Sequence, residues 1–166
     1  GLVSSHAGQL IHMAIDPDLL STDEGSPEFW STVHAWYALG QLKITEAIPP
    51  LLGLREEYPF DLLFDQELPK AIAMMGEVAI PELKNYLFNE NRDEITRSYA
   101  LSCLEKIGIV YRQECLSVIT ELLQKPKKSS RSLIGLAICV LIKSPLTLTG
   151  PPKRTLKLLN RRCWIM

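Results

Sequence analysis

Three stretches decide the fold: Ala38-Leu39-Gly40 followed by Ala47-Ile48-Pro49, Met74-Met75-Gly76 followed by Ala79-Ile80-Pro81, and Lys106-Ile107-Gly108 followed by Cys115-Leu116-Ser117. The glycines lie 36 and 32 residues apart, which is the period of a helix pair. A glycine after an apolar run can take the left-handed conformation that ends a helix. A proline fits the first turn of the next helix, where its missing amide hydrogen has no intrahelical partner. The pattern predicts antiparallel helix pairs joined by short turns.

The second helix of each pair carries one apolar stripe at helical spacing, formed by Ile48, Leu51 and Leu52, by Ile80, Leu83 and Leu87, and by Leu116, Ile119 and Leu123. The spacing predicts second helices near 46–57, 78–89 and 112–124, and first helices near 27–40, 67–75 and 93–107. An earlier helix is expected near 6–15. No segment alternates with period two, so we expect an all-helical chain.

The first helices carry start signals of their own. Ser26 before Pro27 predicts a capping hydroxyl, and Asn91 with Glu94 three residues later predicts a capping box. The segment Ser132–Ile142 is apolar on every side, which predicts a helix covered on more than one face. It opens a fourth repeat whose second helix has no clear sequence signal.

These features predict an all-α fold, a right-handed α-solenoid of stacked antiparallel helix pairs in which each pair contacts mainly its neighbours. We expect one domain over residues 1–166, with repeats near 26–58, 65–90 and 92–125 and a partial or atypical repeat over 129–166.

Charge is divided unevenly along the chain. Residues 1–124 hold all 19 acidic residues and 8 basic ones, a net charge of −11, while residues 125–166 hold 10 basic residues and no acidic one. We interpret the acid-free stretch either as a terminal cap of unusual composition or as an altered reading frame of the coding sequence.

The apolar segments and cysteines indicate the environment. The longest apolar run, Leu133–Ile142, is shorter than the roughly 20 residues that cross a bilayer, so we expect no membrane span. The first twenty residues lack the basic start of a secretory signal. The spacing of Cys103, Cys115, Cys139 and Cys163 matches neither CxxC nor a small disulfide framework, and the first three are predicted to be reduced core residues. We expect a cytoplasmic protein.

With these residues placed, the chain resembles the HEAT-like repeats first catalogued in phycobilisome lyases, over roughly residues 26–124. The stretch Ser26-Pro27-Glu28-Phe29-Trp30, with His34-Ala35-Trp36 and Ala38-Leu39-Gly40-Gln41-Leu42, also looks like bacterial repeat proteins of this type. The resemblance implies a HEAT/armadillo-like superhelix that acts as a binding surface or scaffold for other proteins. A few family members are associated with attaching chromophores, so a bilin lyase or a lyase-associated subunit is the alternative.

The second helices of such a superhelix line its concave side. On them, the row beside the apolar stripe is mainly acidic and consists of Glu46, Glu82, Asn85, Asn89, Glu114 and Glu121. This row is the candidate partner-binding surface, and the expected partner is a protein with a basic or amphipathic face.

A second candidate contact lies on the first well-defined helix, where Trp30, His34 and Tyr37 share one face. Aromatic side chains are favoured anchors at interfaces. The competing interpretation is that Phe29, Val33 and Trp36 form the core stripe while Trp30, His34 and Tyr37 cover a neighbouring helix.

The sequence gives little support for catalysis or a bound cofactor. It contains no GxSxG, phosphate-binding glycine loop or HExxH motif. His12 and Asp16 are four residues apart, but two ligands do not make a zinc site, so we interpret them as an exposed polar pair. We therefore expect a non-enzymatic protein without metal or cofactor.

The basic C-terminal stretch offers the other alternative function, contact with nucleic acid. Its cations and one aromatic side chain could bind phosphates and stack on bases; they are Lys153, Arg154, Lys157, Arg161, Arg162 and Trp164. The competing interpretations are that these cations neutralise the acidic body of the same chain, or that the stretch results from an altered reading frame.

Overall fold

A computed structural model describes residues 4–23, 25–58, 62–124 and 131–143, and within them all regular structure is helical, with no strand. The α-helices are α1 (Ala7–Ala14), α2 (Pro17–Leu20), α3 (Pro27–Gln41), α4 (Ile48–Glu57), α5 (Leu62–Met74), α6 (Ile80–Phe88), α7 (Glu94–Ile107), α8 (Arg112–Gln124) and α9 (Arg131–Lys143). Short 3-10 segments cover Ser4–His6, Thr45–Ala47 and Gly76–Ala79. The prediction of an all-helical chain is confirmed.

The helices contact one another in two series that follow the chain. In the first series α1 packs on α3, α3 on α5, α5 on α7 and α7 on α9. In the second series α4 packs on α6 and α6 on α8. Helix α7 joins the two, since it also touches α4, α6 and α8.

The predicted apolar stripes form the core between these series. Phe29, Val33 and Trp36 are buried on α3, as predicted. Every stripe residue of the second helices is buried except Leu116, which is half-buried. Trp36 is fully buried, its indole nitrogen Nε1 donates to the carbonyl oxygen of Ala14 at 2.8 Å, and its ring centroid lies 5.1 Å from that of Phe64.

Helix α5 begins five residues before the predicted start at 67, so Pro69 lies inside the helix rather than in its first turn. A proline in a helix interior removes a hydrogen bond and is unfavourable. The extra turn buries Phe64, whose ring stacks on Tyr58 with centroids 5.2 Å apart and also meets Trp36. Apolar burial outweighs the local proline penalty here.

One of the two predicted caps is correct. Ser26 caps α3, with its hydroxyl accepting from the amide of Phe29 at 3.3 Å. The capping box of Asn91 and Glu94 is wrong, because Asp93 is the capping residue of α7 and its carboxylate accepts from the Thr96 amide at 2.9 Å. The Glu94 carboxylate instead accepts from the amide of Leu133 at 3.1 Å, so it caps the start of α9.

Replacing Asp93 by alanine should lower the free energy of unfolding by about 1 kcal/mol, because an orphan amide in the first turn of α7 loses its acceptor. Asn91→Ala is the matched control.

Partial burial alone would raise the pKa of Asp93, but hydrogen bonds from Thr96 and nearby amides lower the pKa overall. A carboxyl with a lowered folded pKa stabilises the fold above its unfolded pKa, and this contribution disappears as pH falls through the folded pKa. Urea denaturation should therefore show the difference between the wild type and Asp93→Ala at neutral pH and lose it in acid; an equal loss in Asn91→Ala would contradict the assignment.

The three glycines of the repeat pattern differ in conformation. Gly76 has a φ of 70° and takes the predicted left-handed conformation. The prediction is wrong for Gly108, whose φ is −63°, and for Gly40, which lies inside α3. After α3 the left-handed position is occupied by Lys43, with a φ of 56°. Gly40 serves a different purpose, since a Cβ there would overlap the carbonyl oxygen of Ala71 on α5.

The turn at Gly76 also meets the next helix pair. A Cβ added to Gly76 would lie 3.0 Å from Cε2 of Tyr111, which stands between α7 and α8. The turn between α5 and α6 therefore packs against the turn between α7 and α8.

Helix α9 is covered less than its sequence predicts. Leu133 and Ala137 are buried against α7 and α8, but Leu136 and Cys139 are exposed. Within the described residues, α7 and α8 cover α9 from two sides, and the face that carries Leu136 and Cys139 stays exposed. The second helix of a fourth repeat would fall on residues 144–166, outside the described part.

The cysteines also lie either on a buried face or on an exposed face of their helices. Cys103 and Cys115 are buried, as predicted, whereas the prediction of a buried Cys139 is wrong because the side chain lies on the uncovered face of α9. Burial raises the pKa of the Cys103 thiol, and burial together with Glu114 raises the pKa of Cys115 to about 11. Cys163 lies outside the described residues.

Candidate protein-binding surface

Three of the predicted surface carboxylates lie where a second helix begins. Glu46 lies in the 3-10 segment before α4, Glu82 in the first turn of α6, and Glu114 in the first turn of α8. The recurring Ala-Ile-Pro segments produce the first two starts, since Pro49 and Pro81 each lie in a first helical turn. A carboxylate at this end of a helix is stabilised by the helix dipole. The repeat pattern thus places negative charge at the same end of each second helix.

The six predicted residues differ in exposure and in contacts. Glu46, Asn85, Asn89 and Glu114 are exposed, while Glu82 and Glu121 are half-buried. Within the described residues, Glu46, Glu82 and Glu114 make no ion pair. We therefore define the acidic surface as Glu46, Glu82 and Glu114.

The predicted row is interrupted by a cation that sequence reasoning did not include. Lys84 Nζ on α6 lies 2.7 Å from Glu121 Oε2 on α8. This ion pair joins α6 to α8 and neutralises Glu121. The only sequence signal was the separation of 37 residues, which is close to one repeat.

Asn89 has a local role. It forms the C-cap of α6, and its Oδ1 accepts from the amide of Asn91 at 3.1 Å. A side chain held in this way shapes the turn between α6 and α7. Its amide is therefore less available to a partner than the carboxylates of the acidic surface.

A second charged cluster, also missed from the sequence, lies where α4 ends. Glu56 Oε1 accepts from Arg92 Nη1 at 2.7 Å and from the Tyr86 hydroxyl at 3.4 Å. The Arg92 guanidinium lies 4.1 Å from the centroid of the Tyr86 ring. Burial raises the pKa of Tyr86, Arg92 opposes this, and Glu56 adds to it. This cluster joins the end of α4 to the turn after α6, and Glu56 is therefore paired within the molecule.

The aromatic candidates on α3 divide into two kinds. Tyr37 is half-buried and donates its hydroxyl to Glu67 Oε2 on α5 at 2.6 Å, while Lys70 Nζ lies 2.7 Å from the same carboxylate. Burial, together with Glu67, raises the pKa of Tyr37 to about 12, and hydrogen bonds from Lys70 and Tyr37 lower the pKa of Glu67. Tyr37 therefore covers a neighbouring helix, as one interpretation predicted.

Trp30 and His34 remain at the surface. Trp30 is 43% exposed and packs its ring edge-to-face against Phe29, with centroids 6.0 Å apart. His34 is also exposed. The three positions therefore differ in environment, since Tyr37 is half-buried against α5 while Trp30 and His34 are exposed.

The described residues also limit the kinds of site that can be assigned. His12 Nδ1 lies 3.9 Å from Asp16 Oδ2, and no group of three metal-binding side chains occurs in the described ranges. No helix within them is both long and apolar enough to cross a bilayer. The basic residues from Lys153 to Arg162, and Trp164, lie outside the described part.

Comparisons with known proteins provide no site to transfer. No protein-family model, curated protein or solved structure matches the chain. The assignment of roles to these side chains therefore depends on their exposure, charge and contacts.

Proposed function

We propose that this chain is a HEAT-like helical-repeat module, a right-handed α-solenoid without catalytic activity, that binds another protein through its acidic surface. The two contact series support the repeat architecture, because α1, α3, α5, α7 and α9 pack on one another in chain order and α4, α6 and α8 do the same beside them. The recurring Ala-Ile-Pro starts of α4 and α6 support it as well.

The observation that carries the proposal is the exposure of Glu46 and Glu114, with Glu82 half-buried, at the starts of successive second helices. Two carboxylates toward the ends of these helices are paired within the molecule, Glu121 with Lys84 and Glu56 with Arg92. The acidic surface lies within residues 1–124, whose net charge is −11, while residues 125–166 bring the net charge of the whole chain to −1. A partner with a basic or amphipathic face fits this surface.

A cytoplasmic location fits the same proposal. Cys103, Cys115 and Cys139 are free thiols, and free thiols persist in reducing compartments. Exposed Cys139 is the one that an oxidising compartment would modify first.

The test is a charge reversal at two positions. Proteins captured from the source organism by the wild-type chain are purified and titrated against it by calorimetry. The double variant Glu82→Lys, Glu114→Lys should bind a true partner with an affinity lower by about tenfold or more, because like charges then face each other across the interface. Raising the salt concentration should weaken the wild-type complex in the same direction.

The matched control carries the same charge change on other elements. Asp18→Lys with Glu28→Lys reverses two exposed carboxylates, in the first turns of α2 and α3. We expect the affinity of this variant to stay within about threefold of the wild type, since only long-range charge changes. Equal losses in the two double variants would mean that net charge alone attracts the partner, and the acidic surface would be the wrong site.

A further inference from the structure

Each helix pair repeats one short pattern at the edge of the molecule where its first helix ends. An aliphatic residue stands two positions after each glycine of the repeat, and a carboxylate of the acidic surface stands six positions after it; the aliphatic residues are Leu42, Val78 and Val110. Leu42 is half-buried, whereas Val78 and Val110 are 48% and 76% exposed. The turns that hold the two valines are in contact, because the Tyr111 ring packs over Gly76. Val78 and Val110 therefore form an apolar strip beside the acidic surface.

The last described helix, α9, ends at this same edge. Helices α7 and α9 start side by side, since the Glu94 carboxylate accepts from the Leu133 amide at 3.1 Å. They also end side by side, since Val140 in the last turn of α9 lines one groove together with Ile109 after α7. The two helices are therefore parallel, and residue 144 follows α9 one helix away from the turn between α7 and α8.

The segment that follows α9 has a composition complementary to the edge. Residues 144–152 hold no charge. Residues 153–162 hold no carboxylate, and their five cations surround three leucines; the cations are Lys153, Arg154, Lys157, Arg161 and Arg162, and the leucines are Leu156, Leu158 and Leu159. The apolar stems of lysine and arginine can cover aliphatic side chains while their charges approach carboxylates.

The length of the segment matches the distance along the edge. The nine residues 144–152 span at most about 30 Å, at roughly 3.3–3.6 Å per residue. Packed helices lie roughly 8–10 Å apart, so the turns after α7 and α5 stand roughly 10 and 20 Å from the end of α9. Residues 153–162 can therefore reach both turns.

The order of charges along the segment also matches the edge. Two cations, Lys106 and Arg112, line the groove beside the end of α9, and the residues that would pass them first are uncharged. Glu82 and Glu114 make no ion pair within the described residues, and the five cations follow only after the uncharged stretch. Charge therefore favours residues 153–162 as the part that meets the acidic surface.

We propose that residues 153–162 bind to this edge of their own molecule. Their leucines cover the apolar strip, and their cations pair with Glu82 and Glu114. Tethering favours this occupant over a separate molecule of the same chemistry, because a short linker gives a local concentration in the millimolar range. A protein partner of the acidic surface has to displace the segment first. This competition rests on the proposed function, whereas the binding of the segment does not.

Carbodiimide treatment of the full chain tests the contact directly, because it joins a lysine to a carboxylate only where the two touch. We expect cross-links from Lys153 or Lys157 to Glu82 or Glu114 in the monomer, with a yield that is unchanged on dilution and falls in high salt. A mixture of isotope-labelled and unlabelled chains should give these cross-links within single chains only. Lysines of the segment that join other carboxylates alone, another copy alone, or nothing overturn the proposal.

A synthetic peptide of residues 150–166 tests the occupancy of the site. In the full chain, Lys157→Glu with Arg161→Glu should repel the segment from the acidic surface. The peptide should then bind this tail variant about tenfold more tightly than the wild type, whose site is already occupied. Lys127→Glu with Lys128→Glu is the matched control, which changes the net charge equally outside the segment and should keep the affinity within about threefold of the wild type. Equal affinities for the wild type and the tail variant overturn the proposal.

A substitution in the apolar strip then locates the contact. Added to the tail variant, Val110→Ser should weaken peptide binding by about fivefold or more, because an apolar contact is lost. Ile95→Ser is the matched control, since Ile95 is 53% exposed and lies at the opposite end of α7. Circular dichroism should show that all variants remain folded, and equal losses from these two substitutions overturn the proposed contact.

The cross-linking and peptide measurements need no partner protein, so their failure is distinct from a failure of the proposed function. A captured partner that binds the acidic surface should bind the tail variant more tightly than the wild type. Equal affinity of that partner for the two chains overturns the competition and leaves the proposed function intact.

Discussion

Trp36→Ala should lower the free energy of unfolding by about 3–5 kcal/mol, a large share of the total stability of a domain of this size. The side chain is fully buried between α1 and α5, so its removal leaves a cavity. It also leaves the carbonyl oxygen of Ala14 without its donor. Urea denaturation followed by circular dichroism measures the loss, and a reduced slope would indicate that α1 has detached before the main transition.

Trp30→Ala is the matched control, because it removes the same side chain from the surface of the same helix. Trp30 is 43% exposed, and we expect a loss of about 1 kcal/mol or less. Trp36→Phe keeps an aromatic ring and most of the buried volume but removes the hydrogen bond to Ala14, so its loss should lie between those of the two alanine variants. Equal losses for Trp30→Ala and Trp36→Ala would show that α3 does not pack as the structure describes.

Gly40→Ala should lower the free energy of unfolding by about 2 kcal/mol or more, because the added Cβ overlaps the backbone of α5 at Ala71. A backbone carbonyl cannot rotate away as a side chain can, so α3 and α5 must move apart. The higher helix propensity of alanine acts in the opposite direction by about 1 kcal/mol and does not compensate. Thermal and urea unfolding should both show the loss.

Gly53→Ala gives the opposite expected sign at a helical glycine. Gly53 lies inside α4, and a Cβ there meets nothing within 4 Å. The substitution should raise the free energy of unfolding by roughly 0.5–1 kcal/mol, as expected when an unobstructed helical glycine becomes alanine. A Gly40→Ala variant as stable as Gly53→Ala would contradict the close approach of α3 and α5.

The sequence predicts the helices well because their signals are local. The apolar stripe of α6, formed by Ile80, Leu83 and Leu87, follows from helical spacing alone. The dipeptide Ser26-Pro27 is enough to indicate the start of α3. Such patterns depend on the geometry of a single helix. The number and order of the described helices from α3 to α8 therefore follow from the chain itself.

The errors occur where a distant contact decides the outcome. The early start of α5 buries Phe64 against Trp36, and Gly40 lies inside α3 at a position where a Cβ would overlap Ala71 of α5. Glu94 caps α9 rather than its own helix because Leu133 comes within reach. None of these partners can be identified from spacing along the chain.

In the candidate surface, too, local features could be predicted and contacts between helices could not. Exposure of Glu46 and Glu114 was predictable, because both precede or flank the apolar stripe of a second helix. The neutralisation of Glu121 by Lys84 was not, because it joins two helices across one repeat. A charge pattern in the sequence includes every carboxylate. A binding partner contacts only those carboxylates that form no ion pair in the folded chain.

The packing of Tyr111 over Gly76 constrains how this chain can change in length. The two turns belong to successive helix pairs, and the aromatic ring fills the space that a side chain at position 76 would need. An inserted residue in either turn would displace the other, so neither can grow independently. Lengthening of the molecule, in natural variants or in engineered ones, must therefore be accommodated at other connections.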